Sequence, residues 1–181
     1  KTEEEIEKLK IACKKTDEIV KKAIKKIKEN KIKTETGVSS FLISETIKQG
    51  MEVAFDPIIA SGKNSRHPHY KPQKKRLANG FCVIDYGVKY KGYCADMTRT
   101  IYFGTPSKKE RAVYSLVLNA QKKIIKKIRD GTHCNELHYL SEKLLKQKMI
   151  HALGHGIGVE VHESPSINSQ TKDIIKKGMV I

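Results

Sequence analysis

Histidines and aspartates occur in two short segments at spacings that could support metal-ion or proton-transfer chemistry. Three of the seven histidines, His151, His155 and His162, lie in the segment HALGHGIGVEVHE, where glycines alternate with them. Each of the three glycines would cost about 1 kcal/mol in a helix interior, and glycine also lets a backbone approach a ligand closely. We therefore predict that His155 lies on a glycine loop and that His162 lies on a strand, near its end.

Two aspartates interrupt the apolar strand pattern of the segment FCVIDYGVKYKGYCADMTRT. If this segment is a hairpin centred on Tyr90 and Lys91, Asp85 lies directly opposite Asp96, with Cβ atoms about 4.5–5.5 Å apart. Two carboxylates at that distance repel each other unless a proton, a basic group or a cation compensates their charge. The alternative is that one aspartate faces solvent and the other caps a turn. With His155, the aspartates form a ligand set suited to Mn, Co, Zn or Fe.

The elements that must position these residues form two similar series of helices followed by strands. Apolar residues at helical spacing, and a capping box that begins at Ser107, predict helices over residues 2–30, 36–48, 107–131 and 135–148. Apolar runs bounded by turn residues predict strands over 53–60, 81–88, 95–103, 149–152 and 157–162, and the start of another at 178–181. The layout predicts two α+β halves that pack as pseudo-equivalents.

Composition excludes several other classes of function. At 181 residues the chain is one domain or a little more, and no apolar run approaches the ~20 residues of a membrane span. Four cysteines without a CxxC spacing predict reduced thiols and a cytoplasmic location. The net charge is +16, but lysines alternate with glutamates and no aromatic-interleaved basic patch occurs. We expect neither a membrane nor a nucleic acid as partner, and the acidic start KTEEEIEK does not predict a signal peptide.

Taken together, DYGVKYKGYCADMTRT and HALGHGIGVEVHESP resemble motifs of the pita-bread metallopeptidases. This M24-type family includes methionine aminopeptidase, aminopeptidase P and prolidase, and the resemblance extends over nearly the whole chain, from Lys10 onward. The segment ADMTRT, and His151 ahead of GHG, favour the Xaa-Pro branch. The resemblance implies an α+β pita-bread fold with antiparallel sheets in two pseudo-equivalent halves, and metal-dependent hydrolysis of peptide bonds that precede proline.

The resemblance also implies two divalent metal ions. By position, Asp85 would be a terminal ligand of one metal, Asp96 would bridge both metals, and His155 would bind the second, with Thr98 as a partner of the ligands. The two glutamate ligands of the family correspond to positions beyond Ile181. We therefore expect residues 1–181 to be an incomplete catalytic domain, with an N-terminal domain and the C-terminal strands outside this sequence.

A peptide is the partner that the resemblance implies, and three histidines would contact it. The segment SGKNSRHPHYKP resembles the family segment that carries a substrate-binding histidine, which corresponds to His69. His69 and His162 would act as catalytic residues at the developing tetrahedral centre, and His151 would line the substrate pocket. A homodimer is also compatible with the resemblance.

Three alternative functions remain compatible with the same motifs. A methionine aminopeptidase would cleave Met-Ala peptides but not Xaa-Pro peptides. A creatinase-like amidinohydrolase would use the fold without metals. A non-catalytic relative would bind protein or nucleic acid, and the positive charge gives that alternative some weight.

Overall fold

The computed structural model describes all 181 residues, which separate into two compact units. One unit is Glu3–Pro106, and the other is Ser107–Ile181 together with Lys1–Thr2. The helices are α1 (Glu3–Lys28), α2 (Glu35–Lys48), α3 (Lys108–Ile125) and α4 (Cys134–Leu145), with a short 3-10 helix at Gly62–Arg66. The strands are β1 (Glu52–Val53), β2 (Ile58–Ser61), β3 (Gly80–Tyr86), β4 (Val88–Tyr90), β5 (Tyr93–Cys94), β6 (Met97–Phe103), β7 (Gly154–Gly156) and β8 (Glu163–Ile167).

In the Glu3–Pro106 unit, the two helices pack against an antiparallel ribbon. Helix α1 carries acidic residues in its first turn and lysines in its last, as the helix dipole favours. Helix α2 begins at Thr34, whose hydroxyl accepts a hydrogen bond from the Gly37 N–H (3.0 Å). Both helices were predicted from the sequence, and both predictions are confirmed. None of the four helices has an apolar stretch long enough to span a membrane.

Two three-stranded antiparallel sheets complete this unit, in the orders β1-β4-β5 and β2-β3-β6. Strand β3 alternates buried and half-buried residues, so that Cys82, Ile84 and Tyr86 enter the core. The core residues that they meet are Ile19, Val20, Ala23, Ile27, Val38, Leu42, Met51, Ile59 and Val88. The predicted strand over residues 53–60 is two strands, because residues 54–57 turn between β1 and β2.

In the Ser107–Ile181 unit, α3 and α4 pack beside the β7–β8 hairpin around a small core of Ile124, Cys134, Leu137, Ile167 and Ile175. The capping box is confirmed: the Ser107 hydroxyl accepts from the Glu110 N–H, and the Glu110 carboxylate accepts from the Ser107 N–H. The predicted end of α3 at Gly131 is wrong, because the chain leaves the α-helix after Ile125. The predicted start of α4 is two residues late, since the helix begins at Cys134 rather than after an Asn135 cap.

The predictions of strands over residues 149–152 and 157–162 are also wrong. The Met149 N–H donates to the Glu142 carboxylate (3.0 Å), which holds the chain near α4 instead of in a sheet. Residues 157–162 form bends, because the Gly158 N–H donates to the Glu160 carbonyl (3.1 Å) and the Glu160 N–H donates to the Glu163 carboxylate (3.0 Å). His162 therefore lies in a bend just before β8, and His155 lies on β7 rather than on a loop. No strand forms over residues 178–181.

Candidate functional site

The hairpin that carries the two aspartates turns one position later than predicted. Tyr90 pairs with Tyr93, so the turn is centred on Lys91 and Gly92. Both turn residues have positive φ, 46° and 84°, which is the conformation of the tight hairpin turn that matches strand twist. Asp85 consequently pairs with Thr98, and the prediction that it lies directly opposite Asp96 is wrong.

In a regular ribbon with the corrected register, the two aspartates remain on the same face. The Ala95 N–H donates to the Val88 carbonyl (2.8 Å), so the pairing of β4 with β5 continues toward β6. Moving the turn centre by one residue shifts the pairing by two, which preserves the alternation of side chains between faces. In a regular ribbon the residue two positions before Thr98 would be a diagonal neighbour of Asp85, and Asp96 occupies that position, in the stretch between β5 and β6. Diagonal neighbours have Cα atoms about 7–8 Å apart, within reach of groups that bind both side chains.

The Asp85 carboxylate is oriented by its cross-strand partner. The Thr98 hydroxyl donates a 2.8 Å hydrogen bond to Asp85 Oδ1, so the two side chains share one face of the ribbon. Asp85 is half-buried, whereas Asp96 is exposed. An oriented carboxylate is a better metal ligand, because its geometry is set before the cation arrives. The resemblance implies that Thr98 contacts a metal ligand; the hydrogen bond to Asp85 is present, and the role of Asp85 as a ligand stays a prediction.

His155 and His162 lie together at the β7–β8 hairpin. Their ring centroids are 4.2 Å apart and their planes are inclined by 51°. His155 Nδ1 lies 3.1 Å from the Gly156 carbonyl oxygen. Because a carbonyl only accepts, this contact requires the proton on Nδ1, and the neutral ring then carries its lone pair on Nε2. That tautomer is the one that an Nε2 metal ligand requires.

The hairpin can form only with glycine at position 156. A Cβ built there would lie 2.3 Å from the Ser164 carbonyl oxygen. The β7–β8 pairing shifts register between His155 and Gly156, so the chain bulges where the histidine is presented. Bulges re-aim side chains next to functional sites. Gly156 therefore serves close backbone packing and the direction of His155.

His69 lies on an exposed segment that a buried carboxylate holds in place. The side chain of Glu35, at the start of α2, is fully buried and accepts hydrogen bonds from residues 61–73. His69 itself is exposed, while its neighbour Tyr70 donates to Glu35 Oε2 (2.8 Å). Glu35 was not predicted as a functional residue, because an acidic residue in the first turn of a helix has an ordinary explanation in the helix dipole.

His151 lies on the wall of an open cleft of about 540 Å³ in the Ser107–Ile181 unit. The side chain is exposed, and its Nδ1 lies 2.7 Å from the Ala152 carbonyl oxygen. The same cleft is lined by His138, which is 5% exposed and whose Nδ1 has no hydrogen-bond partner, and by Glu142, 3.6 Å from His138 Nε2. His138 was not predicted as a site residue, because nothing in its spacing distinguished it from a core residue of α4.

The predicted ligands fit divalent metals in chemistry but not in number. Aspartate oxygens and an imidazole nitrogen suit Mn, Co, Fe or Zn, and Thr98 and the Gly156 carbonyl supply the orienting hydrogen bonds that such ligands need. Nowhere in residues 1–181, however, do three His, Cys, Asp or Glu side chains form a group that could hold a metal ion. Three ligands are also too few for two metals, and the assignment of Asp85, Asp96 and His155 as ligands stays a prediction.

Comparison with known proteins agrees with the motifs over the whole chain. The model of metallopeptidase family M24 matches residues 7–181. The Xaa-Pro dipeptidase of Pyrococcus furiosus is 38% identical over 187 aligned positions, a match that covers 100% of this chain and 53% of the relative. The prolidase structure from Pyrococcus furiosus has a TM-score of 0.92, covering 99% of this chain and 55% of that one. The X-Pro aminopeptidase from Thermotoga maritima has a TM-score of 0.89 at 36% identity, over 97% of this chain and 51% of that one.

The fold is the α+β pita-bread fold with antiparallel sheets, and the prediction of that fold is confirmed. The chain belongs to metallopeptidase family M24. It spans about half the length of the relatives and solved structures that it matches.

Proposed function

We propose that this protein is a metal-dependent Xaa-Pro dipeptidase. The observation that carries the proposal is the similarity to the Xaa-Pro dipeptidase of Pyrococcus furiosus, which extends over the entire chain in sequence and in fold. A proline nitrogen carries no N–H, and the ring restricts the backbone. A dedicated site is therefore the expected solution for cleaving the bond that precedes it.

Asp85, Asp96 and His155 would hold the metals in this proposal. Divalent cations held by these residues would supply Lewis-acid chemistry, which lowers the pKa of bound water toward neutrality. The Thr98 hydroxyl orients the Asp85 carboxylate through its hydrogen bond to Oδ1. The Nδ1 contact with Gly156 keeps the His155 ring in the tautomer that binds through Nε2.

His162 and His69 would contact the substrate. His162 lies against His155, so a group that reaches the His155 ring also reaches a second imidazole that can donate a proton or a hydrogen bond. Donors placed where charge develops in the transition state are a large source of rate enhancement. His151, on the wall of the cleft in its own unit, would contact the part of the substrate away from the scissile bond. We propose a cytoplasmic location on the basis of the four reduced cysteines.

The test is hydrolysis of Xaa-Pro dipeptides by the full-length protein supplied with Mn or Co. Asp96→Asn should lower kcat/KM by at least about a hundredfold, because it removes a charged ligand without changing shape. Asp56→Asn is the matched control, since Asp56 is an exposed aspartate of the same unit that lies outside the ribbon. Equal turnover of the Asp96 and Asp56 variants would contradict the proposal. Cleavage of Met-Ala peptides in preference to Xaa-Pro dipeptides would identify a methionine aminopeptidase instead.

A further inference from the structure

One buried carboxylate organises the whole segment that carries His69. Glu35 Oε1 accepts from the Ser61 N–H (3.0 Å), the Ser61 hydroxyl (2.7 Å) and Asn64 Nδ2 (3.4 Å). Glu35 Oε2 accepts from the Tyr70 hydroxyl (2.8 Å) and the Gln73 N–H (3.1 Å). All five donors belong to residues 61–73, so a single side chain of α2 forms hydrogen bonds with this segment at both of its ends and in its middle.

The Glu35 carboxylate is ionised in this environment. Burial is the largest influence on its pKa and raises it, but the hydrogen bonds from Ser61, Tyr70 and Gln73 together outweigh burial and lower the pKa below the usual value. The N-terminal position on α2 adds the favourable field of the helix dipole. Tyr70 responds in the opposite sense: burial, followed by its hydrogen bond to Glu35, raises the pKa of its hydroxyl to about 12.

The segment itself is strongly basic. Residues 62–76 contain six lysines and arginines and no aspartate or glutamate. The charged side chains of this segment are exposed, so their mutual repulsion favours an extended and variable conformation. The negative charge of Glu35 lies beneath the segment and opposes that repulsion, while its directional hydrogen bonds select one backbone path.

His69 lies inside the tethered part of the segment. It is preceded by Asn64 and followed directly by Tyr70, and these two side chains are joined by a 2.8 Å hydrogen bond from Asn64 Nδ2 to Tyr70 Oη. Both also donate to Glu35. With Tyr70 directed inward, the adjacent His69 is directed outward and is exposed.

We propose that Glu35 is a positioning residue, which acts through Tyr70 and Asn64 to hold His69 in its substrate-facing position. The importance of that position for catalysis rests on the function proposed above. The role of Glu35 in fixing His69 is a separate claim and has its own measurement.

Glu35→Gln is the test variant, because it keeps the shape of the side chain and removes its charge. Glutamine has one acceptor oxygen, so its NH₂ group faces the N–H of either Ser61 or Gln73, neither of which can accept. Glu45→Gln is the matched control. It removes the same charge from the same helix, where Glu45 contacts only lysine side chains with its carboxylate.

Two readouts follow the position of the segment directly. The first is the NMR signal of the His69 imidazole, assigned with His69→Ala and recorded well below the melting temperature. We expect it to shift and broaden in Glu35→Gln and to stay unchanged in Glu45→Gln. The second is trypsin cleavage after Lys74, Lys75 and Arg76, which should accelerate about tenfold or more in Glu35→Gln because local opening becomes easier.

Turnover of an Xaa-Pro dipeptide gives the third readout. We expect kcat to fall about tenfold or more with a smaller change in KM, since His69 would act at the developing tetrahedral centre. Should Glu35→Gln fold poorly, Tyr70→Phe removes only one of the five donors and should move all three readouts in the same direction by less.

The outcomes separate the two proposals. A His69 signal and a trypsin rate in Glu35→Gln that match those of Glu45→Gln would overturn the positioning role, whatever the enzyme activity. A shifted His69 signal and faster cleavage in a protein that does not hydrolyse Xaa-Pro dipeptides would support the positioning role and contradict the proposed function.

Discussion

Gly87→Ala is expected to damage the ribbon that presents the two aspartates. Gly87 lies between β3 and β4, and a Cβ built on it would be 1.8 Å from the Ala95 carbonyl oxygen and 2.8 Å from the carbonyl carbon. Real Cβ atoms essentially never approach another heavy atom within 3.0 Å, so the Gly87 and Ala95 backbones must move apart by about 1.2 Å or more. Ala95 directly precedes Asp96, so the displacement reaches that predicted metal ligand.

The magnitude follows from what the displacement breaks. The Ala95 N–H donates to the Val88 carbonyl at 2.8 Å, and the displacement leaves both of these backbone groups without their partner. Val88 and Ala95 are buried, so water cannot replace a lost partner. Leaving a buried backbone group unpaired costs about 1–3 kcal/mol, and two such losses give about 2–6 kcal/mol. Alanine recovers about 0.4–1 kcal/mol by restricting the unfolded chain, so we expect a net loss of about 3 kcal/mol.

Hydrogen exchange of the Ala95 amide measures this effect at the site itself. A loss of about 3 kcal/mol corresponds to roughly a hundredfold faster exchange, and urea unfolding followed by far-UV circular dichroism should show a lower midpoint. Gly154→Ala is the control, because its Cβ would make only an ordinary 3.6 Å contact with Ile167 Cδ1. If Gly87→Ala changes Ala95 exchange no more than Gly154→Ala does, the close approach of Gly87 and Ala95 is not a structural requirement.

Two further predictions concern buried polar groups. Tyr86→Phe should destabilise the protein by about 1 kcal/mol, because it removes a buried hydrogen bond to Thr46 while Thr46 keeps its bond to the Leu42 carbonyl. Urea unfolding of the variant measures this loss of stability. An unchanged unfolding free energy would show that the hydrogen bond does not contribute. The Glu35 carboxyl has a lowered pKa when folded, so its contribution is complete above the ordinary value of 4.5 and is lost as pH falls through the folded pKa. The stability difference between wild type and Glu35→Gln should therefore shrink from about pH 6 to about pH 3, and a difference independent of pH would show that the charge is not stabilised.

The two ends of α3 show which helix boundaries can be predicted from neighbouring residues in the sequence. The start of α3 was predictable, because the Ser107–Glu110 capping box satisfies its own hydrogen bonds within four residues. The end of α3 was not predictable from the same pattern, since basic and apolar residues continue past Ile125 while the backbone leaves the helix. There the chain follows tertiary hydrogen bonds instead, including one from the Gly131 N–H to the Ile175 carbonyl (2.9 Å).

The position of the hairpin turn could not be determined from the alternation of apolar residues. A turn centred on residues 90–91 and a turn centred on residues 91–92 give pairings that differ by two positions. Each side chain therefore lies on the same face of the ribbon in both arrangements. Apolar alternation therefore cannot distinguish them. The positive φ of Lys91 and Gly92 distinguishes them, and Gly92 was the local signal for the second arrangement.

The strand predictions near His162 failed for a related reason. The alternation of Val159, Glu160 and Val161 is typical of a strand, but the Glu163 carboxylate takes the Glu160 N–H and bends the chain. A side chain that competes for a backbone donor leaves no trace in hydrophobic periodicity. The contact between His155 and His162 depends on that bend and on the hairpin that follows it.

The sequence by itself determined the family, the fold class and the identities of the residues proposed for chemistry, because those follow from motifs that are short and continuous in the chain. Only the tertiary structure decided that Thr98 rather than Asp96 pairs with Asp85, and that Glu35 lies buried beneath the His69 segment. These arrangements depend on hydrogen bonds between groups that are 13 to 38 positions apart. Residue types can supply the donors and acceptors for such bonds, but only the folded chain determines which donor meets which acceptor.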